Sequence, residues 1–477
     1  MKRVLIALLL TVPLLAQQVT PPPPAAPRDP KLPQPVERVL ENGLRVIVVP
    51  KHDIPLVAAR LMIKAGGVDD HGKAGLAELT ATVLTKGTKT KSAEQIARGV
   101  EALGATLNAG ARWDSSVVDL SVMSSNLPKA METVADVARN ATFAKEEFER
   151  ERDQHIDAVQ VDLRQPRTLA SAATARLIFG ESPYGSRLSG TPATIEKIKR
   201  EDLVQFHRTF YVPQNSVLVL AGDIKADAAF ALAQNAFGSW KRGSVEVARA
   251  AHARPKTPPR VVVIDMPDAG QASVYVGRAG IRRGDPGYMQ ALVTNSVLGG
   301  GYSSRLNQEI RIKRGLSYGA GSSFDPRVEV GPFTARTDTK NESAAEVANI
   351  LVAEIGRLST DDVPDTELTP RKAALIGNFA QSLETTSGIV EQISELALYG
   401  MPLSAINRYI SGVQSVTSEQ LRKFASTNLA RDANVVIVGD AKQFIEPLRK
   451  QFGEVEVIKV DELDLNSPTL RVRKAKT

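Results

Sequence analysis

The stretches SVLVLAGD at residues 216–223 and NVVIVGD at residues 434–440 decide the fold. Each is a run of aliphatic, mostly β-branched residues closed by a Gly-Asp pair, which is typical of a buried strand followed by a turn. A similar apolar run opens each half of the chain, RVIVV at residues 45–49 and RVVVI at residues 260–264. The two opening runs are separated by nearly the same number of residues as the two closing runs. A period this long indicates a duplicated domain rather than a solenoid repeat.

Helix signals precede the closing strand of each half. They occupy residues 194–210 and 416–426, and in the second of them Thr417 and Gln420 have capping-box spacing. Longer helical patterns occur elsewhere, and the stretch 370–399 predicts one or two helices. Strands and helices do not alternate one for one, which disfavours a doubly wound sheet. The sequence therefore predicts an α+β fold of two homologous domains, each a mainly antiparallel sheet with helices packed on one face.

The N-terminus has the pattern of an export signal. Two early cations precede an apolar run and a small residue at Ala16, which indicates a signal peptide at residues 1–16. The proline-rich residues 17–35 then predict an extended spacer outside any core. An uncleaved membrane anchor is the alternative, although the apolar run is short for a membrane span. We therefore expect an exported protein, periplasmic or secreted, without stable membrane insertion after cleavage.

The duplication sets the predicted domain boundaries. Residues 36–242 are predicted to form the N-terminal domain and residues 260–477 the C-terminal domain. Between them, residues 243–259 are polar and contain prolines, which is typical of a linker.

Composition excludes several classes of function. The chain has 477 residues, of which 43 % are hydrophobic and 24 % charged, a balance typical of globular proteins. The net charge is only +7, aromatic residues make up 5 %, and basic residues are scattered, so we expect no nucleic-acid partner. Cysteine is absent, which excludes disulfides, thiolate metal sites and thiol nucleophiles. The few histidines include no pair three or four residues apart, the spacing of a helical zinc site.

A family resemblance is carried by three segments in particular. They are KAGGVDDHGKAGLAELTATVLTKGT at residues 64–88, LGATLNAGARWDSS at residues 103–116 and VLGGGYSSRLNQEIRIKRGLSYGAGSS at residues 297–323. In order and spacing, these segments resemble the insulinase-like (pitrilysin) zinc metallopeptidases, and the similarity extends over nearly all of the chain after Pro35. Members of that family are built from duplicated α+β domains, so the resemblance implies the architecture that the internal repeat also indicates.

The same resemblance exposes a departure at the zinc motif. Active family members carry His-x-x-Glu-His on the helix after a Gly-Leu-Ala triplet, and a glutamate further along is the third zinc ligand. The matching positions here hold Glu78, Ala81 and Thr82, with Ala158 at the position of the third ligand. Alanine can neither bind a metal nor accept a proton, and one threonine with one glutamate cannot form a three-ligand site. We therefore expect the zinc site to be lost and the chain to bind no cofactor.

Four neighbouring side chains are the candidates for a substitute metal site. They are His71, Glu78, His155 and Asp157. Histidines and carboxylates can bind zinc, which keeps open an active metallopeptidase with unorthodox ligands. In the alternative interpretation, which we favour, all four are ordinary polar residues at the surface or at helix ends.

The C-terminal domain keeps another feature of the family. Arg311 and Tyr318 have the spacing of an arginine–tyrosine pair that family members place over the zinc ion. A guanidinium and a tyrosine hydroxyl can donate hydrogen bonds to a peptide carbonyl as it becomes negatively charged. The resemblance thus implies a catalytic role for the pair, exerted in trans. In the alternative interpretation, Arg311 forms a structural salt bridge with Glu309, and Tyr318 packs at the end of a strand.

Two further sets of residues are candidates for substrate binding. Gly299, Gly300 and Gly301 occupy the position of a glycine-rich loop that is implicated in peptide capture by noncatalytic family subunits. A helix stop followed by a tight turn fits these glycines equally well. Asn108 matches the family's strand beside the zinc helix, and an edge strand there can pair with a bound peptide.

Three hypotheses of function follow. In the first, which we favour, the chain is an exported noncatalytic subunit that binds extended peptides and supplies Arg311 and Tyr318 to the zinc site of a paralogous peptidase subunit. Zinc is then expected in the partner and not in this chain. The second hypothesis is a peptide-binding or structural scaffold without proteolysis, and the third is an active metallopeptidase with unorthodox ligands. Loss of the site in one domain and retention of the pair in the other favours the first hypothesis.

Overall fold

The computed structural model describes residues 34–243, 258–429 and 433–472. These residues form two six-stranded mixed sheets with helices, one sheet from each half of the chain. The predicted signal peptide, nearly all of the predicted spacer and most of the predicted linker lie outside the described residues.

The strands of each half form one sheet. The strands of the first sheet are β1 (Val36–Val39), β2 (Arg45–Pro50), β3 (Leu56–Ile63), β4 (Thr106–Ala111), β5 (Ser116–Met123) and β6 (Ser216–Gly222). The strands of the second sheet are β7 (Val261–Asp265), β8 (Ala272–Ala279), β9 (Ala320–Phe324), β10 (Pro332–Thr339), β11 (Asn434–Gly439) and β12 (Glu456–Lys459). Both predicted pairs of opening and closing runs are therefore strands, and the two strands of each pair are neighbours inside the sheet.

The strand orders are β1-β2-β6-β3-β5-β4 and β12-β7-β11-β8-β10-β9. Parallel pairing joins β2 to β6 in the first sheet, and joins β7 to both β11 and β12 in the second. The other neighbouring pairs are antiparallel, as predicted.

Sixteen α-helices surround the sheets within the described residues. Those of the first half are α1 (Leu76–Val83), α2 (Ala93–Ala102), α3 (Leu127–Asn140), α4 (Lys145–Asp162), α5 (Pro166–Phe179), α6 (Pro192–Ile195), α7 (Arg200–Phe210) and α8 (Ala226–Phe237). Those of the second half are α9 (Tyr288–Leu298), α10 (Arg305–Asn307), α11 (Ala344–Thr360), α12 (Asp365–Ser382), α13 (Thr386–Leu398), α14 (Tyr409–Ser415), α15 (Ser418–Asn428) and α16 (Ile445–Phe452). A π-helix, Gln308–Lys313, continues directly from α10.

Both faces of the inner strands of each sheet are buried. In β2, Val46 and Val48 pack against helices of their own half, whereas Ile47 and Val49 belong to a core that also contains α13 from the other half. The second sheet is covered in the same way, because α5 of the first half packs on β8 and β11. The predicted α+β class is confirmed, with one addition: each half also lends a helix to the second face of the other half's sheet. Burial on both faces explains why the central strands are continuous aliphatic runs.

Local helix signals are also confirmed. The Thr417 hydroxyl accepts a hydrogen bond from the Gln420 amide, and the Gln420 side chain accepts one from the Thr417 amide, which completes the capping box. The stretch 370–399 forms parts of two helices, α12 and α13, but α12 begins before Pro370, which lies inside it. Within the described ranges, none of the helices is long and apolar enough to cross a membrane.

Candidate functional site

The positions at which we expect the zinc ligands to be lost lie on two helices that pack together. Glu78, Ala81 and Thr82 are on α1, and Ala158 is on α4. Ala81 is fully buried, Ala158 is exposed, and the Thr82 hydroxyl is satisfied by donating to the Glu78 carbonyl at 3.0 Å. The fold thus assembles the expected helix pair, but the side chains there offer one carboxylate and one hydroxyl.

The remaining carboxyl group at this site, that of Glu78, lies near a histidine and an arginine. Burial raises the pKa of Glu78, and the nearby His155 and Arg187 act in the opposite direction. His155 is itself engaged, because its Nε2 lies 2.9 Å from the Ser189 carbonyl oxygen. Burial outweighs these two neighbours and favours the neutral form of the Glu78 carboxyl.

The other candidates for a substitute metal site do not converge on Glu78. Asp157 and His71 are both exposed, and the ring of His71 lies 6.4 Å from that of Phe210. Across residues 34–243, 258–429 and 433–472, no three histidine, aspartate or glutamate side chains stand close enough to hold a metal ion. The donor set does not fit the three protein ligands that a zinc site needs.

In the C-terminal half, the predicted arginine–tyrosine pair is in contact. Arg311 lies in the π-helix, and its guanidinium carbon is 4.5 Å from the centre of the Tyr318 ring. The alternative salt bridge is not formed, since Glu309 pairs with Lys313 and Arg314 instead. Among the described residues, Arg311 has no carboxylate within ion-pair distance. Single-turn π-segments are frequent at functional sites, where they redirect one side chain out of the helical register.

Tyr318 projects into solvent from a fixed backbone. Its side chain is 89 % exposed, so it does not pack at a strand end as the alternative interpretation required. The residues on either side are held by buried Thr337, whose hydroxyl lies 2.7 Å from Ser317 Oγ and 2.8 Å from the Gly319 carbonyl. The Gly319 amide also donates to Ser317 Oγ. The exposed phenol is thus carried by a segment whose polar groups are paired with the sheet.

Tyr302 is a residue of this cluster that the sequence analysis did not single out. Its ring centre lies 4.9 Å from the guanidinium carbon of Arg311, on which Tyr318 also packs, and it is 66 % exposed. Buried Asn307 holds it in place, donating to the Tyr302 carbonyl and accepting from the Ala320 amide. An aromatic residue directly after a glycine run was the available signal. We define the Arg311 cluster as Tyr302, Arg311 and Tyr318.

The three glycines differ in their surroundings. A Cβ at Gly299 would lie 2.2 Å from the Ser322 amide nitrogen, and one at Gly300 would lie 2.8 Å from the Ser296 Cα, so both glycines permit close backbone packing. The Gly299 carbonyl accepts a hydrogen bond from the Ser322 amide in β9. A Cβ at Gly301, by contrast, would have only Arg371 nearby, at 3.8 Å. Close backbone packing therefore explains why positions 299 and 300 are glycines, in agreement with the helix-stop interpretation. Substrate binding by all three glycines stays a prediction.

Asn108 lies on an edge strand, as predicted. It is exposed on β4, which forms one end of the first sheet and pairs with β5. The free edge of β4 presents backbone groups that an extended peptide can pair with. This strand also packs beside α1, the helix of the lost zinc positions.

Two family models match the chain and together cover more than half of it. The model described as Insulinase (Peptidase family M16) matches residues 45–191, and the model described as Peptidase M16 inactive domain matches residues 197–375. Among curated relatives, an uncharacterized zinc protease of Mycobacterium tuberculosis is 29 % identical over 409 residues, which are 85 % of this chain and 93 % of the relative. An uncharacterized zinc protease of Streptomyces coelicolor is 24 % identical over 409 residues, covering 84 % of this chain and 89 % of the relative.

Solved structures agree with these matches. A peptidase M16 inactive domain from Pseudomonas fluorescens has a TM-score of 0.79 and 28 % identity, covering 85 % of this chain and 98 % of that chain. A protease from Helicobacter pylori has the same TM-score of 0.79 at 21 % identity, covering 85 % of this chain and 100 % of that chain, which shows likeness of fold. On the matches to both halves, this chain belongs to the insulinase-like M16 metallopeptidase family.

Proposed function

We propose that this chain is an exported noncatalytic subunit of an insulinase-like zinc metalloendopeptidase complex. The observation that carries the proposal is the contrast between its halves. The N-terminal half has Ala81 and Ala158 where a base and a ligand are needed, whereas the C-terminal half presents Arg311 and Tyr318 in contact and accessible. A paralogous peptidase subunit supplies the zinc site, and this chain supplies the hydrogen-bond donors.

The chemistry of the pair suits this division of labour. As a peptide carbonyl becomes tetrahedral, negative charge develops on its oxygen, and prepositioned donors stabilise that charge. The Tyr318 hydroxyl supplies a neutral donor, and the Arg311 guanidinium supplies a charged one. Because Arg311 has no carboxylate partner among the described residues, its positive charge remains available to the substrate.

An extended peptide is the substrate class that the chain suits best. The edge of β4 around Asn108 offers backbone donors and acceptors, which bind a peptide in extended form irrespective of its side chains. Gly301, the least hindered glycine of the loop before Tyr302, leaves space for a peptide near the Arg311 cluster. Both features favour main-chain contacts, which do not select one sequence.

The test is reconstitution with a zinc-bearing family member from the same genome. The mixture should hydrolyse peptides well above either subunit alone, and Tyr318→Phe should lower turnover by about 10²–10³, the usual cost of one oxyanion donor. Tyr409→Phe is the matched control, since Tyr409 stacks on Phe379 away from the cluster. Equal complex formation is confirmed first by size-exclusion chromatography. If Tyr318→Phe leaves turnover unchanged, the pair is structural and the scaffold hypothesis takes its place.

The proposal also requires that the chain alone holds no zinc. Metal analysis of the purified protein after mild dialysis should find no stoichiometric zinc, because Ala81 and Ala158 offer no donor atom. One tightly held zinc per chain would support the active metallopeptidase with unorthodox ligands instead.

Export is tested separately by mass. Intact-mass measurement of periplasmic or secreted material should give an N-terminus at or near Gln17, the residue after the predicted signal peptide. A chain that starts at Met1 and is extracted only by detergent would favour the membrane anchor.

A further inference from the structure

We propose that Arg371 binds a carboxylate of the peptide that the Arg311 cluster contacts. Arg371 lies in α12, far along the chain from the cluster, and the sequence analysis did not single it out. The proposal rests on the peptide binding proposed above. It adds a preference for negative charge to main-chain contacts that do not select a sequence.

The side chain of Arg371 is fixed against the loop that contains Tyr302. Its Nη2 donates a hydrogen bond to the Ser303 carbonyl. Its own backbone carbonyl accepts a hydrogen bond from the Ser296 hydroxyl at 3.2 Å, which ties α12 to α9 at this point. A guanidinium that is already held in place loses little conformational freedom when it binds a ligand.

One edge of this guanidinium is open. Nε of Arg371 is fully buried and cannot contact a ligand, whereas Nη1 retains accessible surface and has no hydrogen-bond partner in the part of the chain that the structure describes. A Cβ placed on Gly301 would lie 3.8 Å from Nη1 and would have no other atom within 4 Å. Nη1 therefore borders open space above Gly301, where a bound peptide can reach it.

The positive charge of Arg371 is not neutralised by the protein. Within the described ranges, no carboxylate lies within ion-pair distance of it. Glu367 acts on Arg371 through its charge, but its two oxygens accept from Nε and Nη2 of Arg305 at 2.9 and 2.8 Å. Burial lowers the pKa of Arg371, because its charge has lost part of its hydration without gaining a paired anion.

Arg311 brings a second unpaired cation to the same loop. It contacts the ring of Tyr302, while Arg371 borders the residues on either side of Tyr302. The other carboxylate of this region, Glu309, is already paired with two cations. Two unneutralised guanidiniums beside one short loop attract an anion. The anion that a peptide carries is a carboxylate, which a guanidinium binds through charge-assisted hydrogen bonds.

The two cations have different tasks in this proposal. Arg311 donates to the peptide carbonyl, as proposed above, and Arg371 binds a carboxylate elsewhere on the same peptide. That carboxylate belongs to an acidic side chain or to the peptide's C-terminus. Arg371 is thus a specificity residue, and its loss should change which peptides bind.

The experiment measures binding of three short peptides to the full chain by isothermal titration calorimetry. The first has blocked ends and a central glutamate, the second has glutamine in its place, and the third is the glutamine peptide with a free C-terminal carboxylate. We expect a peptide that carries a carboxylate to bind about tenfold more tightly than the blocked glutamine peptide, the value of one charge-assisted hydrogen bond. Added sodium chloride should reduce this preference.

The pattern of affinities identifies the source of the carboxylate. Tighter binding of the glutamate peptide assigns an acidic side chain, and tighter binding of the third peptide assigns the C-terminus. If all three bind equally, the proposal is wrong and peptide binding itself stands. If none of the three binds, both this proposal and the peptide binding proposed above are wrong.

Arg371→Gln locates the binding. It should bind all three peptides with the affinity that wild type has for the blocked glutamine peptide, because the cation is gone and main-chain contacts are kept. Arg208→Gln removes one positive charge from an exposed position on α7 of the first half, and as the matched control it should keep the wild-type preference. A preference that survives in Arg371→Gln would place the carboxylate elsewhere and overturn the proposal.

Thermal unfolding first confirms that each variant is folded. If loss of the bond to Ser303 unfolds Arg371→Gln, Arg371→Lys decides instead. Lysine keeps the charge but lacks the planar fork of donors, so the preference for a carboxylate should fall by about threefold while the blocked glutamine peptide binds as before. An unchanged preference in Arg371→Lys would then count against recognition by the guanidinium.

Discussion

Two arginines of this protein make the same contact in opposite surroundings. The guanidinium of Arg327 lies 4.5 Å from the ring of Trp113 and 4.6 Å from that of Tyr184. The guanidinium of Arg311 lies 4.5 Å and 4.9 Å from two tyrosine rings. Each arginine is therefore held by two aromatic faces, and the geometry of the contact does not distinguish them.

The two arginines differ in their exposure to solvent and in whether their contacts join the two halves of the chain. Arg327 is buried, comes from the second half and contacts two aromatic residues of the first half, so it joins the halves. Burial and the carboxylate of Asp114 raise the pKa of Tyr184, whose hydroxyl keeps its proton and donates to Asp114. The Arg311 cluster lies within one half and leaves Tyr318 almost fully in water. The buried arginine–aromatic contact thus joins the two halves, whereas the exposed one leaves the Tyr318 ring in reach of solvent.

Replacing the two arginines by alanine should give the largest difference in the free energy of unfolding. Arg327→Ala should lower the free energy of unfolding by about 3 kcal/mol, because a buried guanidinium loses its cation–π contacts and its ion pair with Asp325 together. Arg311→Ala should cost less than about 1 kcal/mol, as exposed cation–π contacts do. Urea unfolding of both variants measures these losses. Similar losses would show that the buried arginine does not stabilise the fold more than the exposed one.

Removing the tyrosine hydroxyl in each cluster should give a smaller difference in the free energy of unfolding. Tyr184→Phe removes a buried hydrogen bond to a carboxylate and should cost about 1.5–3 kcal/mol in the free energy of unfolding. Tyr318→Phe should change it by less than about 0.5 kcal/mol, because the hydroxyl is in water. Thermal and urea unfolding give both values, and a destabilised Tyr318→Phe would argue for a structural role of the exposed ring.

Lowering the pH should weaken the association of the two halves, because Glu391 becomes protonated. Partial burial alone would raise its pKa, but Arg112 and Arg60 outweigh burial and hold the pKa of this carboxyl below its ordinary value. Such a group contributes stability that is complete above its unfolded pKa and is lost as pH falls through its folded pKa. Between about pH 5 and pH 3, wild type should therefore lose stability more steeply than Glu391→Gln. Urea unfolding across this range gives the free energy of unfolding of both proteins as a function of pH. Parallel curves would show that Glu391 does not contribute to the acid sensitivity.

The expected effect on stability at Tyr302 is also small. Tyr302→Leu should change the free energy of unfolding by less than about 1 kcal/mol, since its ring is exposed. In the reconstituted complex it should nevertheless lower turnover several-fold, because Arg311 loses one of the two rings that orient it. Tyr302→Phe keeps the ring and should restore turnover. Equal losses in both variants would exclude positioning by the ring.

Much of the fold was predictable because its signals are local or repeat along the chain. The aliphatic runs 45–49 and 216–223 predicted buried strands, and the capping box of Thr417 and Gln420 predicted a helix start. The lack of a donor atom at positions 81 and 158 also follows from the sequence, since both are alanines in any fold. The exchange of α5 and α13 between the sheets was not predicted, because helix periodicity shows that a face is apolar but not which sheet covers it.

Sequence by itself determined the duplication, the opening and closing strands of each half, the class of fold and the absence of donor atoms at Ala81 and Ala158, because each depends on residue type or short-range order. Tertiary structure alone decided which side chains meet across long separations. It placed Tyr302 on Arg311 and inserted Arg327 between Trp113 and Tyr184. These contacts depend on packing between segments far apart in the chain, where many pairings satisfy the same composition and only shape and desolvation select one.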